Sequence, residues 1–252
     1  MSTPETEPVR AILLDIEGTT TPVAFVTEVL FPYVRTHLRS HLESRADAPS
    51  SESITMALRA EHAAAMRVGE TVPPWADDPP AERRNAIAAY VEWLMDRDRK
   101  STALKELQGR IWEDGYRRGE LVGEVFADVR PALQHWHEQD VPVGIFSSGS
   151  VLAQQLLFRY STAGDLTSLL RWYFDTHVGS KIDPESYRRI ATSVGIRIEG
   201  FLFLSDAIKE LDAACTAGMQ VRLVVRPGNT PVPAGHGYDT VRSLDEVARP
   251  SR

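Results

Sequence analysis

Four short apolar runs punctuate the chain, at residues 11–14, 141–146, 201–204 and 221–225. The first is short, continuous and aliphatic, the mark of a strand buried on both faces in a parallel sheet, and the others read as further strands of that sheet. Pro142 is tolerable near the start of the second run. Residues 151–160, 187–194 and 209–217 carry helical patterns between and after them, the last stopped by Gly218. Residues 22 to about 120 offer no strand. There Phe25, Val29, Leu30, Tyr33, Val34, His37 and Leu38 recur at helical spacing. Residues 54–66, 81–96 and 102–118 also read as helices, with Leu104, Leu107, Ile111 and Trp112 on one face of the last. Proline-rich steps at 72–75 and 78–80 separate them, and Ser/Ala/Pro-rich residues 45–53 read as a loop. The tail from Val247 reads as frayed. No internal repeat is evident. The pattern predicts an α/β fold, a Rossmann-like parallel-sheet core built from residues 1–21 and 123–252. An all-helical block, residues 22–122, is inserted after the first strand. An insert there serves either as a closing lid that excludes water or as a packed subdomain.

Composition narrows the class without naming it. The 252 residues are 42% hydrophobic and 25% charged, ordinary for a globular protein. A net charge of −7 argues against a nucleic-acid partner, whose binders carry a basic face, but leaves room for an anionic small molecule held by a local cluster of donors. The lone Cys215 forbids an internal disulfide and reads as a small core residue of the 209–217 helix. No apolar stretch approaches the roughly 18 residues of a membrane span. The polar start, residues 1–8, has neither the basic nor the apolar part of a signal peptide. A cytoplasmic protein with no membrane partner is the expectation.

The chemistry sits where the strands end. Active sites of open α/β sheets lie at the carboxyl ends of strands. After the first strand come Asp15 and Glu17, then Gly18, Thr19 and Thr20, small residues whose backbone N–H groups can hold an anion. Ser147 and Ser148 follow the second run, Asp206 the third, with Glu210 one turn beyond, and Lys181 lies in the loop between. Read singly, each has a plain structural explanation: an acidic turn, helix caps at Ser147, Ser148 and Asp206, a solvated lysine. Together they supply the parts of phosphoryl transfer. Asp15 is placed as the nucleophile on phosphorus, and Asp206 completes a Mg²⁺ site with it. Ser147 or Ser148 holds the non-bridging oxygens, Lys181 neutralises charge, and Glu17 exchanges protons with the leaving group and with water.

This order of motifs resembles the haloacid dehalogenase superfamily of phosphatases, and more closely the enolase-phosphatase family of methionine salvage. The matching stretches are 14–22, 96–109, 126–129, 147–151, 174–176 and 224–229, so the likeness includes the helical insert. Glu17, where most of the superfamily has Asp, is itself a feature of the enolase-phosphatases. The resemblance implies a haloacid dehalogenase-type core with a helical cap. It implies a monomeric enzyme using one Mg²⁺ to enolise 5-methylthio-2,3-dioxopentyl phosphate and then dephosphorylate it to 1,2-dihydroxy-5-methylthiopent-1-en-3-one, the acireductone. By position, Asp15, Glu17 and Asp206 then serve the metal, Ser147, Ser148 and Lys181 bind substrate, and Asp15, Glu17 and Lys181 are catalytic. The enolisation base is left open among Glu17, His177 and Lys181. Phe25, Phe31 and Trp112 are candidates for a pocket around the methylthio group. A sugar-phosphate phosphatase or phosphomutase of the same superfamily, or an inactive binding relative, are the alternatives.

Overall fold

The computed structural model describes residues 7–45, 49–233 and 235–248. Strand β1 (Ala11–Leu14) is completely buried, as its unbroken aliphatic run requires. A π-helical turn, Phe25–Leu30, follows, then helices α1 (Phe31–Ser44), α2 (Pro49–Arg67), α3 (Pro80–Asp96) and α4 (Thr102–Arg117). After these come α5 (Val129–Glu138), β2 (Val143–Phe146), α6 (Val151–Arg159), β3 (Trp172–Phe174), α7 (Pro184–Val194), β4 (Phe201–Ser205), α8 (Ile208–Ala217), β5 (Gln220–Val224), β6 (Thr240–Val241) and α9 (Asp245–Ala248). The chain divides into two compact units, residues 28–120 and the remainder.

The helical unit is built on apolar stripes. Leu104, Leu107 and Ile111 are buried on α4, Val34 and Leu38 on α1. Ser101 starts α4 by accepting the Leu104 N–H at 2.9 Å. His62, Trp75, Tyr90 and Trp93 form an aromatic cluster, with His62 meeting Tyr90 edge-on at 5.0 Å. Helix α2 starts at Pro49, so residues 49–53 are helical rather than looped; a proline is tolerated at a first helical position. Residues 46–48 of the expected loop, and 249–252 of the expected frayed tail, lie outside the described residues.

The other unit carries a six-stranded sheet, order β3-β2-β1-β4-β5-β6, parallel throughout. Four of these elements went unpredicted in the sequence: β3, β6, α5 and α9, the last making residues 247–248 helical where a frayed tail was expected. Strand β1 lies centrally, its Leu14 beside Ile145 on one flank and Leu204 on the other. Beneath it Tyr187 meets Phe146 and Phe203 edge-on at 5.4 and 5.2 Å. Its hydroxyl donates to the Lys181 carbonyl at 2.7 Å, so the core fixes the loop that carries the lysine. Helix α7 is capped by Asp183 and ends at Gly195, whose φ of 77° suits a residue without a Cβ. Cys215 is exposed on α8, against the expectation of a core position; Ala213, Ala214 and Ala217 occupy the buried side.

Asp128, just before α5, ties this unit together. Its Oδ2 accepts from Arg226 Nη1 at 2.8 Å, Ser243 Oγ at 2.9 Å and the Leu244 N–H at 2.6 Å. Burial alone would raise this carboxyl, but the bonds from Arg226, Leu244 and Ser243 outweigh it and hold it below the usual range. Asp128→Asn is expected to lower unfolding stability by about 3 kcal/mol at pH 7, because Arg226 loses its charged partner. A depressed folded value gives stability that is present above the unfolded-chain value and lost as pH falls through the folded one. Denaturant titrations of the two proteins should therefore converge below about pH 4.

Candidate active site

The ends of β1 and β4 build the site. Asp15 continues the strand pairing by donating its N–H to the Leu204 carbonyl at 3.0 Å, and is buried. The chain then turns tightly. The Ile16 carbonyl accepts from the N–H groups of Thr20 and Thr21, both at 2.9 Å, and Gly18 N–H closes on the Thr21 carbonyl at 2.8 Å. Thr20 Oγ1 donates to the Asp15 carbonyl at 3.1 Å. Gly18 has φ of 69°, and a Cβ there would lie 2.2 Å from Asp206 Oδ2. Glycine is required twice over, once for the left-handed backbone and once for the carboxylate pressed against it.

Lys181 completes the group. Its Nζ, on a buried side chain, lies 2.5 Å from Asp15 Oδ1 and 2.6 Å from Glu210 Oε2. Burial by itself would strip the proton from this lysine, but Asp15 and Glu210 outweigh it and hold its ammonium form above the ordinary range. The carboxylates outnumber the cation. Burial, then the Asp15 charge, pushes Asp206 up to about 7 against the pull of Lys181, and Glu17 adds to the rise. Glu210 is pushed up for the same first two reasons, although Lys181 and the Ser205 hydroxyl, which donates to it at 2.9 Å, oppose this. One ammonium thus serves a buried cluster with negative charge to spare.

The structure brings Asp15, Lys181, Asp206 and Glu210 together, with Glu17 close enough to bear on Asp206. Asp206 does not cap α8: the Ncap is Ala207, whose N–H goes to Ser205 Oγ at 3.1 Å. Ser150, not Ser147 or Ser148, caps α6. Ser147 is buried at the end of β2, accepting the Gly149 N–H at 3.2 Å, while Ser148 is exposed. His177 is engaged by Asp175, Nδ1 to Oδ1 at 2.7 Å, and its side chain is 82% exposed. Asp175 also receives the N–H groups of His177 and Val151, at 2.9 and 3.2 Å. Phe25 is buried; in the helical unit Phe31 faces Trp112 at 6.3 Å between ring centroids, and Trp112 Nε1 donates to the Leu30 carbonyl at 2.9 Å.

Arg226 and Asn229 carry no role in the sequence reading, yet they hold the turn after β1. Arg226 donates through Nε and Nη2 to the Thr19 carbonyl, both at 3.1 Å, and Asn229 Nδ2 donates to the Gly18 carbonyl at 2.9 Å. The signal was available, since Arg226-Pro227-Gly228-Asn229 is a turn sequence at another strand end.

A divalent ion fits this donor set. Among the described residues no three His, Cys, Asp or Glu side chains converge as a ready-made cage. Mg²⁺ does not need one, since it is commonly bound by one or two carboxylates together with water and substrate phosphate. Asp15 and Asp206, both hard oxygen donors in a cluster with excess negative charge, meet that description.

Comparison with known proteins agrees with the geometry. The description "haloacid dehalogenase-like hydrolase" matches residues 9–218. An enolase-phosphatase E1 of Synechococcus elongatus is 48% identical over 241 residues, covering 95% of this chain and 98% of the relative. A probable bifunctional methylthioribulose-1-phosphate dehydratase/enolase-phosphatase E1 of Vitis vinifera is 44% identical across 96% of this chain and 48% of its own length. The crystal structure of the UTR4 protein of Saccharomyces cerevisiae superposes with a TM-score of 0.76 at 34% identity, covering 93% of this chain and 98% of that one. The chain belongs to the haloacid dehalogenase-like hydrolases and, within them, to the enolase-phosphatase family.

Proposed function

We propose that this protein is the acireductone synthase of methionine salvage: it enolises 5-methylthio-2,3-dioxopentyl phosphate and dephosphorylates the enol through an aspartyl phosphate. The observation that carries the reading is the match to enolase-phosphatases over 95% of the chain, which takes in the helical insert as well as the strand ends. The buried cluster at those ends supports the phosphatase half. Asp15 attacks phosphorus through one carboxylate oxygen, while Lys181 holds the other and neutralises charge. Asp15, Asp206 and Glu17 would hold Mg²⁺, Glu17 through its backbone carbonyl so that its carboxyl serves proton exchange. The ion, when bound, offsets the charge of phosphate and polarises the dione oxygens. Ser147 and Ser148 bind the phosphoryl oxygens. Glu17 protonates the leaving oxygen and then activates water against the aspartyl phosphate, returning Asp15 to its starting form.

For enolisation the geometry favours Glu17 over the other two candidates. The His177 side chain is 82% exposed rather than part of the buried cluster, and Lys181 is held as an ammonium by two carboxylates, which leaves it unsuited to take a proton. Residues 22–122 act as the cap of this enzyme, which works as a monomer, as the resemblance implies, and in the cytoplasm, as its composition leads one to expect. Enol absorbance and phosphate release, followed together on the dione with and without Mg²⁺, test the whole reading. A transient enol followed by Mg²⁺-dependent phosphate supports it. Phosphate released from sugar phosphates, with no enol from the dione, replaces it with a general phosphatase.

A further inference from the structure

The stretch after β5 has a built geometry of its own. Pro227 stands at the second position of a four-residue turn, Gly228 follows with φ of 88°, and Asn229 N–H returns to the Arg226 carbonyl at 3.2 Å, the closure expected of a type II turn. The turn is immobilised from below. Arg226 is 6% exposed, stacks 4.5 Å over the Phe126 ring, and spends Nη1 on Asp128 and on the Arg242 carbonyl at 3.0 Å. Its remaining donors and the Asn229 amide then grip the consecutive carbonyls of Thr19 and Gly18.

Two further facts give this grip a purpose. The turn after β1 has few side-chain tethers of its own: the buried Thr19 and Thr21 hydroxyls have no partner among the described residues. The point at which a Gly18 Cβ would sit is 2.2 Å from Asp206 Oδ2 and 3.0 Å from Asn229 Nδ2. The Gly18 backbone, the Asp206 carboxylate and the Asn229 amide are thus packed around one spot, and the amide's Oδ1 is buried and unpartnered among the described residues. A carboxamide pressed on a backbone that is pressed on a carboxylate fixes where that carboxylate stands relative to Asp15.

We propose that Asn229 is a positioning residue of the divalent-metal site: through Gly18 it sets the spacing of Asp15 and Asp206, and its free carboxamide oxygen accepts a hydrogen bond from water on the bound ion. This rests on the metal reading above, and Asn229 itself touches neither metal nor substrate. Residues that orient the groups bound directly to a metal commonly change its affinity by about 10–100-fold.

The test is Mg²⁺ binding to the full-length, substrate-free protein by calorimetry, beside thermal unfolding, for wild type, Asn229→Ala and the similarly sized Asn229→Leu. Both variants are expected to bind Mg²⁺ about 10–100-fold more weakly while unfolding within a few degrees of wild type. Added Mg²⁺ should recover their phosphate release, moving the Mg²⁺ requirement more than the limiting rate. Unchanged Mg²⁺ affinity in either folded variant overturns the inference, as does a lowered unfolding temperature with unchanged affinity, which marks a purely structural tether. A wild type that binds no Mg²⁺ overturns the metal site itself, an outcome that is read from wild type alone.

Discussion

Asp15→Asn is expected to reduce phosphate release by at least about 10⁴-fold, because the amide cannot form the acyl phosphate on which the proposed route depends. The loss should come without unfolding. The bonds that hold this residue in the sheet are made by its backbone, the N–H to Leu204 and the carbonyl to Thr20, and both survive the change. Lys181 keeps Glu210 as its partner. Three carboxylates crowd one ammonium, so removing the charge of Asp15 relieves Asp206 and Glu210, both of which it pushes upward. The variant should therefore unfold at the same temperature as wild type or above it. Single-turnover phosphate release and thermal unfolding on one preparation decide the matter. Release within tenfold of wild type would remove Asp15 from the nucleophilic role.

Lys181→Met should be the most damaging change to the fold as well as to the reaction. Methionine refills the space of the lysine stem but leaves Asp15 and Glu210 facing each other without the cation that both touch. Removing one partner of a buried ion pair costs about 3–5 kcal/mol, a large share of the stability of a typical domain. Phosphate release should fall by at least about 10³-fold, since both the charge on phosphate and the orientation of Asp15 lose their support. The destabilisation carries a pH signature. Glu210 is raised in the wild-type fold, and more so once the ammonium that lowers it is gone. A carboxyl raised by folding binds its proton more tightly in the folded chain than in the unfolded one, so stability falls as pH rises through the window between the two values. Denaturant midpoints of the variant should thus drop further below wild type at pH 8 than at pH 5. An equal deficit at both would mean that altered packing, and not the lost charge, destabilises the variant.

How much of this was legible depended on length and burial. Strand β4 is Phe-Leu-Phe-Leu-Ser with all five residues buried, and nothing but an interior strand accounts for it. Strand β3 is Trp172-Tyr173-Phe174 at the edge of the sheet, all half-buried, too short to show any period. Helix α5 did carry a signal, the buried spacing Val129, Ala132, Leu133 and Trp136, but Pro131 in its first turn breaks the pattern to the eye. Cys215 failed differently: one face of α8 offers more small residues than the core takes, and composition cannot choose among them. At the site, the meeting of Asp15 and Asp206 follows from strand ends converging. The bond from Lys181 to Glu210 crosses elements with no shared period, and the donors of Arg226 and Asn229 act on carbonyls, which have no letter in a sequence.

The central place of β1 has a consequence for how the chain is made. Its partners are residues 143–145 and 201–204. A ribosome reaches the second of these about 10–40 s after completing β1, at about 5–20 residues per second. Throughout that interval Ala11-Ile12-Leu13-Leu14 can make no hydrogen bond to β4, and the charged cluster cannot assemble, because Asp15 and Lys181 are 166 residues apart. Strand β1 is thus flanked on both sides only when residues 201–204 exist, and the polypeptide must shield an adhesive apolar segment until then.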